Sequence, residues 1–429
     1  MRYHLVTLGC PKNTVDSEHI ERELAARGHV PTVRPSDADL LIVNTCGFID
    51  AAKEESVDAV VRLATRKHEG QRLVVAGCLT QLHGDELARE VPEIDRWFGV
   101  EQWDAIARYT GGAPYDIPET RPVGGRRVSA YLKISDGCDA PCTFCIIPRI
   151  KGRFRSASLG SLTAEARRLA AEGARELVLV AQDSTAWGED LGLRDGLAGL
   201  LRELAAAVPE LPWIRVMYAY PGRVTPRLIA AMAETPQVVH YLDMPLQHGS
   251  ETALRRMRRP QRMDRVLAQV EALRAAMPDI ALRTSLIVGF PGETEAELEE
   301  LLQLVRRVRF DHVGVFTYSP QEGTPAAALP GQLPEGEKRR RRDVVMRLQQ
   351  EIALEKRRAL VGTVQQVLIE SEPPAPGAGA TVAGRTYRDA PEVDGLVLAH
   401  GQAEAGTFAH VRITDAGPYD LVGQLSEEA

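Results

Sequence analysis

Lysine is scarce in this chain of 429 residues, supplying 7 of its 52 basic side chains. Beside a heavy alanine content that shortage reads as compositional bias, so the number of arginines carries no functional weight. Excess positive charge is missing too: 52 bases face 59 acids, a formal net charge of -7. That excludes a chain wrapping nucleic acid through its overall field and leaves only a local patch open. No run of 18 apolar residues occurs, so no membrane-spanning helix and no membrane partner are expected. The opening MRYHLVTLGCPKN passes straight into a strand without a basic and then apolar leader, and the expected location is the cytoplasm. Six cysteines are too few for a disulfide-stapled scaffold of this length, and without a leader bound metal or reactive thiols are the better expectation. Hydrophobic residues at 44% and charged ones at 26% describe a globular chain of two to four domains, expected to be a monomer.

Residues 1–115 read as a small α/β unit. His4 to Leu8, Leu40 to Val43 and Leu73 to Ala76 are short apolar runs, each followed by a break and a helical pattern, such as Ser17 to Arg27. The Gly- and Pro-rich TGGAPYDIPETRPVGG at 110–125 reads as a linker. A second unit, 126–358, carries candidate strands at Val128 to Ile134, Leu177 to Ala181, Ile214 to Tyr218, Val239 to Asp243, Leu282 to Val288 and His312 to Tyr318, with helical stretches between them. Pattern alone leaves two architectures open, a partial (β/α) barrel and an open doubly wound sheet. After a charged helical run at 335–361, residues 360–429 hold five short candidate strands and fit a small antiparallel barrel.

The strongest chemical signal is GCDAPCTFC at 137–145. Its thiols Cys138, Cys142 and Cys145 form a CxxxCxxC run. Three thiolates without a fourth nearby ligand match a 4Fe-4S cluster with one iron open to an exogenous ligand, whereas structural zinc wants four protein ligands. Cys10, Cys46 and Cys78 lie 36 and 32 residues apart, which no local motif explains. Each stands just beyond the C-terminal end of a predicted parallel strand, in LGC, NTC and AGC. Those ends share one face of an open α/β sheet, so the three thiols are expected to converge on a second cluster.

These motifs resemble the radical S-adenosylmethionine methylthiotransferases, and within them the branch that modifies a ribosomal protein. LGCPKNTVDSE (8–18) stands where transfer-RNA-modifying relatives have a GCQMN type of sequence. NTCGFIDAAKEES (44–56), YLKISDGCDAPCTFCIIPRIKG (131–152), YAYPG (218–222), YLDMPLQHGS (241–250), RTSLIVGFPGE (283–293) and VFTYSPQEGT (315–324) agree with the same branch. Lys151-Gly152, where Arg-Gly is commoner, and SAS at 156–158 are small departures. The resemblance covers essentially the whole chain and implies an N-terminal α/β methylthiotransferase domain, a central partial barrel and a C-terminal TRAM barrel. It implies an auxiliary 4Fe-4S cluster on Cys10, Cys46 and Cys78, and a radical 4Fe-4S cluster on Cys138, Cys142 and Cys145.

The activity implied is methylthiolation of the β-carbon of an aspartate in ribosomal small-subunit protein S-twelve, free or in the assembled subunit. One S-adenosylmethionine would yield a 5'-deoxyadenosyl radical that abstracts the hydrogen; the auxiliary cluster would deliver sulfur, and a second S-adenosylmethionine the methyl group. An electron donor such as flavodoxin or ferredoxin is a further implied partner. The alternatives are a tRNA adenosine methylthiotransferase and a non-catalytic iron-sulfur scaffold.

Weaker candidates for contact with S-adenosylmethionine or substrate are Gln182, Asp183, Ser184, Gln247, His248, Arg283 and Thr284, all near predicted strand ends. Gly289, Pro291 and Gly292 are expected to shape a turn, and Gly9 and Gly47 to let backbone approach a cluster. KRRRR at 338–342 reads as a solvated helix face or a contact to ribosomal RNA. Residues 363–429 hold ten acids against three bases, which would suit a basic protein partner better than RNA.

Overall fold

The computed structural model describes residues 1–111, 128–371 and 381–426. The N-terminal part alternates β1 (Arg2–Thr7), α1 (Pro11–Ala25), β2 (Val30–Pro31), β3 (Leu40–Thr45), α2 (Asp50–Ala64), β4 (Arg72–Gly77), α3 (Cys78–Glu90), β5 (Arg96–Phe98) and α4 (Trp103–Thr110). Its sheet is ordered β2-β1-β3-β4-β5 and is parallel throughout. β3 (LLIVNT) is buried at every position, as a strand covered on both faces must be. The two edge strands were not anticipated: they are two and three residues long, and β2 contains a proline. The expected linker begins later than its composition indicates, because Thr110 closes α4; positions 112–125 lie outside the described residues.

The central part runs β6 (Ser129–Lys133), β7 (Ser135–Asp136), α5 (Ile147–Lys151), β8 (Arg155–Ser156), α6 (Leu159–Ala171), β9 (Glu176–Val180), α7 (Gly196–Ala207), β10 (Trp213–Val216), α8 (Pro226–Glu234), β11 (Val238–Asp243), α9 (Glu251–Arg256), α10 (Met263–Ala276), β12 (Ala281–Val288), α11 (Glu295–Val308), β13 (His312–Thr317) and α12 (Glu335–Arg358). Its six-stranded sheet is ordered β13-β12-β11-β10-β9-β6. Each strand adds to the same side of its predecessor, whereas a doubly wound sheet reverses direction partway, and the two ends of the sheet do not pair. This is an open, partial barrel. Its outer face carries the largest core, where Leu177, Leu179, Ile214, Leu242 and Leu286 meet Leu201, Met232, Leu273 and Leu301 of the helices.

The inner face is covered differently. Val15 of α1 and Leu368, Ala390 and Phe408 of the C-terminal part pack on Tyr131, Val178, Trp213 and Tyr241. The C-terminal strands β14 (Val364–Ser371), β15 (Thr381–Arg385), β16 (Val397–His400), β17 (Phe408–Ala416) and β18 (Leu421–Ser426) close a barrel in the order β14-β15-β16-β18-β17. The pairing departs from the expected antiparallel pattern at one seam, because β16 and β18 run parallel. Directions cannot alternate around a ring with an odd number of strands, so a closed five-stranded barrel needs at least one such seam.

The barrel is anchored by ions buried within the partial barrel. Glu176 at the start of β9 accepts from Arg215 Nε and Arg385 Nη2, each at 2.7 Å, and all three side chains are fully buried. Burial alone would raise the Glu176 carboxyl, but the two guanidiniums bring it down to about 2. Asp394 takes Arg283 Nε at 3.3 Å and Tyr241 Oη–H at 2.7 Å, and Asp389 takes Arg357 at 2.7 Å. Glu370 binds Arg385, and Glu392 accepts from Tyr131 Oη–H at 3.1 Å. Asp389 and Asp394 are therefore spent inside the protein, Glu370 and Glu392 are paired nearer its surface, and the acid count overstates the outward charge. Glu372, Glu427 and Glu428 lie outside the described residues.

KRRRR corrects in the same way. Lys338 is buried and donates to Tyr318 O at 2.8 Å, and Arg341 is buried on Glu293 at 2.9 Å. The run clamps α12 to the GFPGE turn, where Gly289 at φ +73° lies against the Lys338 stem. It is not simply a solvated face.

Candidate active site

β1, β3 and β4 are neighbours with their C-terminal ends on one side, and Thr45 pairs in register with Gly77. Cys46 and Cys78 therefore leave the sheet side by side, while Cys10 caps the N-terminus of α1 and Cys78 opens α3. The loops meet closely. A Cβ on Gly9, whose φ is +98°, would stand 2.8 Å from Cys46 Cβ, and one on Gly47 would stand 2.9 Å from Leu79 N, next to Cys78.

Asn13, 1% exposed, ties the three loops together. Its amide nitrogen donates to Leu8 O at 2.8 Å and Thr45 O at 3.0 Å, and its amide oxygen accepts from Cys78 Sγ at 3.6 Å. Composition and spacing did not single out this residue, although it stands in the GCPKN motif.

In the central part Cys138, Cys142 and Cys145 occupy the loop between β7 and α5. Ala140 N donates to Cys138 Sγ at 3.4 Å, and the buried Arg259 guanidinium brings Nη1 to 3.8 Å from Cys142 Sγ. Arg259 is held by Pro245 O at 2.8 Å and stacks over Tyr220 at 4.3 Å. Burial pushes the Cys145 thiol up to about 12 and raises Cys138. It likewise pushes Cys78 up to about 12 against the pull of Lys151, and raises Cys46. Thiols so placed stay neutral until a strong local positive charge draws their protons, as coordination to iron does. Among the described residues no three His, Cys, Asp or Glu side chains close on a single metal ion. A cluster with each thiolate on its own iron does not require such closure.

The N-terminal thiol face lies against the segment that follows the second thiol set. Cys78 packs with Ile146 and Ile150, immediately beyond Cys145. Lys12, two residues after Cys10, reaches Ala181 O at 3.3 Å past the end of β9 and lies 3.9 Å above the Tyr218 ring. Between them is a buried ionic quartet. Asp16 of α1 accepts from Lys133 at 2.6 Å and Lys151 at 2.7 Å, and both lysines also reach Asp136, at 3.0 and 3.4 Å. Burial opposes the charge on Asp136, but the two ammoniums hold its carboxyl well below the usual range. Lys151, the departure from the commoner arginine, thus sits at the seam between the two thiol sets.

The weaker candidates divide. Gln182 donates to Asp136 Oδ1 at 3.0 Å, and its carbonyl oxygen is buried without a partner among the described residues. Gln247 adopts φ +73° and pairs through its backbone with Leu286. Others are occupied by the fold. Asp183 caps Thr185 and binds Arg223 at 2.6 Å; Ser184 Oγ donates to Met217 O at 2.6 Å; Thr284 Oγ1 donates to Met244 O at 2.9 Å. His248 is fully buried, its Nδ1 accepting from Ser250 N at 2.9 Å and its Nε2 lying 3.9 Å from Glu293. Arg283 is bound to Asp243 at 3.0 Å as well as to Asp394.

The family description "Uncharacterized protein family UPF0004" matches residues 2–99, "Radical SAM superfamily" residues 132–305 and "TRAM domain" residues 361–425. Among solved structures, the radical S-adenosylmethionine methyltransferase TsrM from Kitasatospora setae, with tryptophan substrate and a SAM analogue bound, aligns with a TM-score of 0.54 at 13% identity. That alignment covers 88% of this chain and 79% of that one. The cobalamin-dependent radical enzyme OxsB aligns with a TM-score of 0.52 at 12% identity, over 83% and 56%. Both likenesses are of fold alone. Sequence and fold together thus define a radical S-adenosylmethionine enzyme.

Among curated relatives, the "Ribosomal protein uS12 methylthiotransferase RimO" of Roseiflexus sp. (strain RS-1) is 47% identical over 461 residues, covering 100% of this chain and 98% of its own. The protein of the same name from Anaeromyxobacter sp. (strain K) is 46% identical over 439 residues, covering 99% and 93%. This chain belongs to the RimO family.

Proposed function

We propose that this enzyme methylthiolates the β-carbon of an aspartate in ribosomal protein uS12. It would use S-adenosylmethionine, a radical 4Fe-4S cluster on Cys138, Cys142 and Cys145, and an auxiliary 4Fe-4S cluster on Cys10, Cys46 and Cys78. When bound, these groups supply the radical, sulfur and methyl chemistry. The observation that supports the reading is the packing of Cys78 against Ile146 and Ile150, which follow Cys138, Cys142 and Cys145 in the chain. Membership in the RimO family supports the choice of uS12.

The chain's own residues bind, orient and exclude water. Asn13 ties together the segments that carry Cys10, Cys46 and Cys78, and Gly9 and Gly47 let those segments approach closely. Arg259 puts a fixed positive charge beside Cys142 Sγ. The Asp16, Lys133, Lys151 and Asp136 quartet registers the N-terminal face on the strand ends, and Lys12 fills the gap beyond β9. The C-terminal barrel seals the lower interior through Arg385 and Glu176, leaving the strand ends as the place for reaction.

The test uses anaerobically purified protein, dithionite, S-adenosylmethionine and purified uS12. The parent should form 5'-deoxyadenosine and the methylthio product. A Cys10→Ala, Cys46→Ala, Cys78→Ala variant should keep half the iron and still form 5'-deoxyadenosine, yet give no methylthio product. If that variant retains all its iron, the assignment of a second cluster fails.

A further inference from the structure

Although the whole chain carries a net charge of -7, the segment 255-RRMRRPQRMDR-265 concentrates six arginines against one acid. It leads from α9 into α10 and is strapped to the radical-cluster loop. Thr143, between Cys142 and Cys145, donates its N–H to Met257 O and its hydroxyl to Arg256 O, each at 3.0 Å. Of the six, Arg259 is buried beside Cys142 and Arg256 is taken by Glu297 at 2.7 Å. Arg262 pairs with the neighbouring Asp264. Arg255, Arg258 and Arg265 are exposed and form no ion pair among the described residues. Arg258 holds φ +50°, a left-handed conformation that a β-carbon disfavours, so the chain accepts strain at the residue that turns this guanidinium outward.

Glu251 accepts from the backbone N–H of Met263 and keeps its charge, but with Asp264 it sets only two acids against the six arginines. Beside the arginines lies a surface cleft of about 490 Å³ that includes Gln261, whose amide nitrogen and oxygen are both buried without a partner among the described residues.

We propose that Arg255, Arg258 and Arg265 form the docking surface for a small acidic electron-carrier protein. The inference rests on the reading of Cys142 as a ligand of the radical cluster. One electron leaves the reduced centre of the carrier and is taken up behind Cys142; no bond or proton moves in that step, and the carrier leaves oxidised by one electron. Tunnelling falls steeply with distance, so the carrier must seat where the protein shell over Cys142 is thin. The Thr143 strap and Arg259 hold the segment that carries the unpaired arginines against the loop of Cys142. Charge complementarity then supplies encounter rate and orientation and makes the docking sensitive to salt. RNA is also anionic, but it has no electron to give, and three arginines spread over the α9–α10 connection offer no extended track for a phosphate backbone.

The test is charge reversal in the full-length protein, as Arg255→Glu, Arg258→Glu, Arg265→Glu. A second variant, Arg255→Glu, Arg265→Glu, avoids the strained position. Reduced flavodoxin is the probe. Its affinity is measured by calorimetric titration at low and moderate salt, and 5'-deoxyadenosine formation is measured with flavodoxin and separately with dithionite. Expected are an affinity loss of about tenfold or more in both variants, a flattened salt dependence, and a dithionite-driven rate within about twofold of the parent. Unchanged flavodoxin affinity overturns the proposal, and so does an equal loss with dithionite, which would put the arginines in the reaction itself. If flavodoxin affinity holds while binding to the small ribosomal subunit falls, the patch faces RNA. Failure of the parent to form 5'-deoxyadenosine with dithionite would sink the cluster reading, a result separable from the titration.

Discussion

Asp16→Asn is the most informative single change, because Asp16 is the one acid that the N-terminal part contributes to the buried quartet. The substitution keeps the side chain's shape and removes one charge. Its oxygens accept from Lys133 at 2.6 Å and Lys151 at 2.7 Å, and the four side chains are between 2 and 9% exposed. Two positive and two negative charges become two against one, with water largely excluded. Breaking a buried pair from one side costs about 3–5 kcal/mol, and losing two charge-assisted bonds at about 1.5–3 kcal/mol each gives a similar figure. At roughly 1.4 kcal/mol per decade, 3 kcal/mol is about a hundredfold in the ratio of docked to opened interface.

Global unfolding of a multidomain chain gives no single free energy, so the assay is hydrogen exchange of peptides covering 11–25 and 129–151 at pH 7. Exchange in both should quicken by about a hundredfold, while peptides from β16 and β18 stay unchanged. Adding Lys151→Met restores neutrality and should recover at least half of the loss in free energy. Exchange within about threefold of the parent for Asp16→Asn, or a double variant worse than both singles, would show that the quartet does not hold the two thiol faces together.

The Glu176 carboxyl is held down to about 2 from 4.5, a difference worth about 3 kcal/mol at neutral pH. Because the folded value is the depressed one, this stability is complete above about pH 4.5 and is lost as pH falls toward 2. Docking of β15, followed by hydrogen exchange between pH 5 and 3, should weaken accordingly, and Glu176→Gln should be weak already at pH 7 and flat across that range. Asn13→Ala strips two buried carbonyls of their donor and should lower stability of the N-terminal part by about 2–4 kcal/mol, read from its exchange, with iron lost from the Cys10, Cys46 and Cys78 set. Gly9→Ala meets Cys46 Cβ at 2.8 Å and should halve the iron content, whereas Gly70→Ala, at a comparable positive φ with nothing within 4 Å, should leave iron untouched.

Much of the scaffold was legible because local pattern and tertiary role coincide. Runs such as Leu40 to Val43 are apolar throughout because the strand is buried on both faces, and a cysteine placed just past each such run marks the ligand edge. What escaped is long-range pairing. Asp16 finds Lys133 and Lys151 across 117 and 135 residues, and no spacing rule reaches that far. Arg283 has the look of a ligand-binding arginine near a strand end, yet its charge is taken by Asp243 and by Asp394, 111 residues away. The acid count of residues 363–429 was sound arithmetic but silent on direction, since Asp389 and Asp394 turn toward the partial barrel. Lys338 and Arg341 likewise read as surface charge until the GFPGE turn and Glu293 are set against them.

The central claim is that this chain acts on a ribosomal protein and not on transfer RNA. It is tested most directly by mass spectrometry of uS12 together with nucleoside analysis of bulk tRNA, from cells with and without the gene. Loss of a methylthio increment, one sulfur with one carbon and two hydrogens, from an aspartate of uS12 with tRNA unchanged is the predicted result. Intact modification of uS12 with loss of a methylthio-adenosine from tRNA would contradict it.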